Sequence, residues 1–128
     1  MLNYPSKKIS EFLNFLSEAE SHYIFCCEEL NKQEKLTQDY LHSLELDDLK
    51  CKERSKVATK LSENRKERRY YKDRIEELQS IMEFMSNQKN KDMVNRLKQV
   101  LGDVRKAENY HKNRTYIPRV LKEKGLKV

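Results

Sequence analysis

The sequence predicts an all-α protein: a long antiparallel helical hairpin of coiled-coil type, a shorter third helix packed on the half away from the turn, and a basic C-terminal tail. Three observations carry this. Leu49 to Met85 contains neither Pro nor Gly. Within it, seam positions recur at alternating spacings of four and three: Val57, Leu61, Asn64, Arg68, Tyr71, Ile75, Leu78, Met82 and Met85. That 3.5-residue period marks a helix facing another helix. Finally, 38% of the chain is charged and 37% apolar, enough to line narrow seams but little for one spherical core.

The first helix is expected over residues 6–44. Ser6 follows Pro5 and precedes the periodic run, so its hydroxyl suits an N-cap. The seam then reads Ile9, Phe12, Leu16, Ala19, Tyr23, Cys26, Leu30, Gln33, Thr37, Tyr40 and Leu44. Leu13, Phe15, Ile24 and Phe25 widen its apolar face, which predicts two neighbours for that half. A turn near Glu45 to Asp48, with Asp47 or Asp48 as cap, leads into a helix over 47–86. At about 1.5 Å per residue the stretch from Leu49 to Met85 is roughly 55 Å long. A tight turn there sets facing residue numbers to sum to roughly 92, placing Arg68 near Ile24, between Glu20 and Glu28, and Asn64 near Glu28.

Ser86 to Asn90 reads as the next break, with Asn90 capping a helix over 91–111. Its stripe is Met93, Leu97, Val100, Val104 and Ala107, and Gly102 inside it suggests close packing. Residues 1–112 thus form the helical unit. Residues 113–128 form the tail, extended before Pro118, with one helical turn over Arg119 to Lys124 closed by Gly125.

The net charge of +6 is unevenly spread. Residues 1–48 carry 4 basic and 10 acidic groups, and residues 49–74 carry 11 basic and 4 acidic. Antiparallel pairing of the two helices predicts that these charges largely cancel. Residues 105–128, with 8 basic and 2 acidic groups, then hold the excess. Lys112, Arg114, Tyr116, Arg119, Lys122 and Lys124 are the candidate phosphate grip, with Tyr116 stacking on a base. The same tail also reads as a solubilising segment whose Tyr116, Ile117, Val120 and Leu121 dock on the helices. Lys66, Arg69 and Lys72 have the composition of a nucleic-acid patch, but pairing with the acidic first helix is the favoured reading.

Leu36, Tyr40, Leu41, Leu44, Leu49 and Val57 lie in the half left as two helices, the natural place for a second subunit or another protein. His22 and Cys26 share a helix face at i, i+4, yet Cys27 points about 100° away and packed thiols explain them better than a metal. No Gly-rich phosphate loop exists and the three His are scattered, so neither an enzyme nor a cofactor is expected. Three Cys without a framework fit a reducing cytoplasm. No run approaches the roughly 18 apolar residues of a membrane span.

The run Glu67 to Leu78, the stretch Leu97 to Lys106 and the closing Asn113 to Val120 all fall within Lys56 to Val120. This region resembles the small Lys/Glu-rich, all-helical accessory proteins of phages and prophages of low-GC Gram-positive bacteria. The resemblance implies action by binding, to host or defence proteins or to nucleic acid, and no particular site residues. The expected function is that of a non-enzymatic, oligomerising binding protein that inhibits or recruits a host macromolecule. Nucleic-acid or anionic-nucleotide binding through the tail is the alternative.

Overall fold

A computed structural model describes residues 4–116 and 118–120. It is all-helical: α1 (Pro5–Leu46), α2 (Cys51–Ser86) and α3 (Gln88–Asn113). The expectations for Ile117, Leu121, Lys122, Lys124 and Gly125 concern residues outside those described.

The two long helices run in opposite directions. Tyr23 meets Gln79, Gln33 meets Glu67, Thr37 meets Asn64, and Glu34 meets Arg68. These residue numbers sum to 100–102 rather than the expected 92. Arg68 therefore lies against Glu34, not Ile24, and Asn64 against Gln33 and Thr37, not Glu28. The connection supplies part of the cause. α1 persists to Leu46, and Asp47 ends it, its amide donating to the Ser43 carbonyl at 3.2 Å. Neither Asp47 nor Asp48 caps α2. Lys50 holds the cap position, and the Glu53 carboxylate accepts its backbone N–H at 3.4 Å. An acidic residue in the first turn still meets the positive end of the helix dipole.

Within this register the expected seams coincide with the least exposed faces. Leu16, Ala19, Cys26, Gln33 and Thr37 are buried on α1 and Asn64 on α2. Phe12 is the exception, 47% exposed.

The third helix begins earlier than expected. Asn87 is its cap, its side-chain oxygen accepting from the Lys89 and Asn90 amides. Asn90 lies inside the helix and donates its side-chain N–H to the Phe84 carbonyl at 2.9 Å, closing the end of α2. One residue separates the helices, and the chain does not fold back on α2. The Ser6 hydroxyl donates to Glu108 Oε2 at 2.5 Å, its backbone N–H donates to Oε1 at 3.1 Å, and Arg105 reaches Ser10. Rising α1 numbers thus meet falling α3 numbers. Ser6 is not the N-cap of α1; Tyr4 is, with φ 56°, and Glu108 supplies the acceptor that a cap side chain would have given. Those hydrogen bonds hold the Glu108 carboxyl below its ordinary pKa. Close packing does not explain Gly102: an added Cβ would meet nothing within 4 Å.

Candidate interaction surfaces

A polar layer crosses the seam in the turn-side half. The Thr37 hydroxyl donates to Asn64 Oδ1 at 2.6 Å. Asn64 Nδ2 donates to the Gln33 carbonyl at 3.0 Å and to Gln33 Oε1 at 2.7 Å. Gln33 Nε2 in turn donates to Glu67 at 2.9 Å. Gln33, Thr37 and Asn64 are all buried, so each satisfied group stabilises one pairing of the helices over others. One turn further along α2, Arg68 Nε donates to Glu34 at 2.5 Å, with the Glu34 side chain 45% exposed. The layer holds the two helices together.

The residues expected to form a partner surface are only partly gathered. Tyr40, Leu44, Leu49 and Val57 are half-buried, whereas Leu36 and Leu41 are exposed. Larger apolar residues lie elsewhere. Glu20 lines a cleft with Met82 of α2 and Val94 and Lys98 of α3. Phe15, Phe25 and Leu36 stand about 140–160° round α1 from Glu20, at 100° per residue, on the flank that α3 leaves uncovered. All three are exposed, as are Tyr70 and Phe84 of α2. The apolar face of Ile9 to Cys27 is therefore not closed by the third helix as expected: Phe12, Phe15, Ile24 and Phe25 stay half open.

Sequence reading did not single out the aromatic cluster on this flank. Phe25 meets Tyr71 edge-on at 6.1 Å, and Tyr71 meets Tyr70 at 5.3 Å. Arg74 lies over Tyr70 at 5.4 Å while bonding Glu77. Burial, then the nearby carboxylates of Glu29 and Glu67, raises the Tyr71 pKa. His22 packs on Phe25 and approaches the Cys26 sulfur at 3.6 Å. Burial, then the neighbouring Cys27, pushes the Cys26 thiol up. Among the described residues, no group of three His, Cys, Asp or Glu could hold a metal ion. Nor is any described helix long and apolar enough to cross a membrane.

The expected cancellation of charge between α1 and α2 does not occur. The register sets Lys50–Arg69, with nine basic and three acidic groups, opposite the last half of α1, where Leu30–Leu46 has two basic and three acidic. The acidic run of α1, Glu11 to Glu29, lies further along the pair, opposite α2 from about Lys72 onward. Among the described residues, Arg68–Glu34 is the one ion pair between the two helices. Lys66, Arg69 and Lys72 make none.

In the tail, Arg114 to Tyr116 is extended and exposed, Tyr116 by 81%, and Arg119 and Val120 are exposed as well. Tyr116 and Val120 therefore do not dock on the helices. Lys112 is exposed in the last turn of α3, where a cation suits the dipole. No protein family, curated protein or solved structure matches the chain.

Proposed function

We propose that the chain is a non-catalytic binding protein: an antiparallel coiled-coil hairpin braced by a third helix, which self-associates and engages another macromolecule of the cell. Inhibition or recruitment of a host or defence component, as in the phage accessory proteins it resembles, is the biological form of that proposal. The observation that carries it is the uncovered flank of Phe15, Phe25, Leu36, Tyr70 and Phe84. Only four apolar residues are buried among the described residues: Leu16, Ala19, Cys26 and Leu101. The surface, 10756 Å², is well above the roughly 7200 Å² of a compact monomer of this mass. A chain that buries so little alone gains most from covering the large apolar side chains it leaves exposed.

Light scattering over a range of protein concentrations tests self-association. The expected result is a mass that rises with concentration, and falls to the monomer in Phe25→Glu and Phe84→Glu without loss of helix. A monomer at every concentration, unchanged by either substitution, contradicts it. The exposed Arg114, Tyr116 and Arg119 keep nucleic-acid capture by the tail as a second reading.

A further inference from the structure

We infer that α2 carries a binding site for the phosphate backbone of double-stranded nucleic acid, separate from both the aromatic flank and the tail. Arg54, Arg65, Arg69 and Lys72 fall within about 60° on one face of α2, with Lys66 beside them. The small residues Ala58 and Ser62 lie between, so a ligand can approach the helix closely there. Arg65, Lys66 and Arg69 line an open groove with Ala58, Leu61 and Ser62, at whose floor Arg68 is held by Glu34.

Register makes this face available. Were α2 paired about two helical turns nearer the start of α1, Arg65, Lys66 and Arg69 would lie opposite the acidic run Glu11 to Glu29, whose end now faces only Lys72. In the observed pairing Arg54, Arg65, Lys66, Arg69 and Lys72 form no ion pair among the described residues. The stripe ends at Asp73 and Glu76, which bound it on the α3 side. From Arg54 to Lys72 it runs about 27 Å, the length of about 8 base pairs at 3.4 Å each.

The ligand follows from what the face contains and lacks. Positive charge without a partner, set along a straight helix, recognises evenly spaced phosphates. Single-strand grooves add aromatic platforms for unstacked bases; within Arg54 to Lys72 the aromatic residues are Tyr70 and Tyr71, which lie about 100–160° round α2 from Arg69 and Lys72 rather than on their face. Recognition through this face is therefore of backbone and shape, without base readout.

Fluorescence anisotropy with a labelled mixed-sequence 30-base-pair duplex and a single strand of equal length, at several salt concentrations, tests this. The duplex is expected to bind more tightly than the single strand, with affinity falling steeply as salt rises. Arg65→Gln, Arg69→Gln and Lys72→Gln combined should lower the log–log salt slope by about 2.7, near 0.9 per lost phosphate contact. Helix content by circular dichroism should be retained. Arg114→Gln with Arg119→Gln should leave most of the binding intact. Absence of duplex binding at low salt overturns the inference. So does tighter binding of the single strand, loss of binding in the tail variant alone, or indifference to the triple substitution. Because the aromatic flank is untouched by these variants, self-association is judged separately by scattering.

Discussion

The two halves of the helix pair are held by different means. In the half away from the turn, Leu16, Ala19 and Cys26 are buried and α3 adds Leu101. In the turn-side half the buried seam residues are Gln33, Thr37 and Asn64, joined by hydrogen bonds. Apolar packing is non-directional and tolerates a slip of one heptad; a chain of donors and acceptors does not. The first half therefore supplies most of the stabilisation, and the second selects the register. Register in turn decides which charges remain open on α2.

Leu16→Ala should produce the largest loss, about 2–5 kcal/mol for a cavity in a small core, read as a drop in the denaturation midpoint with facing pairs unchanged. Asn64→Ala should cost less, about 1–3 kcal/mol, because Thr37 and Gln33 lose buried partners. It should also loosen the register, broadening NMR signals along the turn-side half. Arg68→Ala should stay within about 1 kcal/mol, since its partner Glu34 is 45% exposed. If Asn64→Ala proves as mild as Arg68→Ala, the contrast between the halves fails.

Gly102→Ala should stabilise by about 0.5–1 kcal/mol through helix propensity, as the added methyl meets nothing within 4 Å. The smallest effect concerns the start of α1. The Glu108 carboxyl, bonded to Ser6, has a lowered pKa. Its contribution is present above the ordinary glutamate pKa and is lost as pH falls through the lowered value. Hydrogen exchange of the amides from Ser6 to Ile9 should quicken with acid relative to the rest of α1, and Glu108→Gln should remove that pH dependence.

Helix number, and the seam faces of α1 and α2, were legible because the 3.5-residue period is written in residues such as Leu16, Cys26, Leu61 and Leu78. Register was not. A heptad pattern packs equally well at shifts of seven, and the choice rests on Thr37, Gln33 and Asn64, each legible as a polar seam position but not as one another's partner. The packing face of α3 was legible only in part, since Met93, Val100 and Ala107 of the expected stripe are exposed and Leu101 beside it is buried; its direction was hidden because a stripe does not show which way a helix runs. Ser6 and Glu108, 102 positions apart, carry that information. The basic face of α2 was visible as composition, but its freedom from the acidic run of α1 depends on the register.

The most direct test is therefore of register. An isotope-edited NOE spectrum of the protein should connect the side-chain amide of Asn64 to the methyl of Thr37, and the ring of Tyr71 to that of Phe25. Cross-peaks instead from Asn64 to Glu28 and from Arg68 to Ile24 would contradict this pairing. The acidic run of α1 would then lie against the cations of α2.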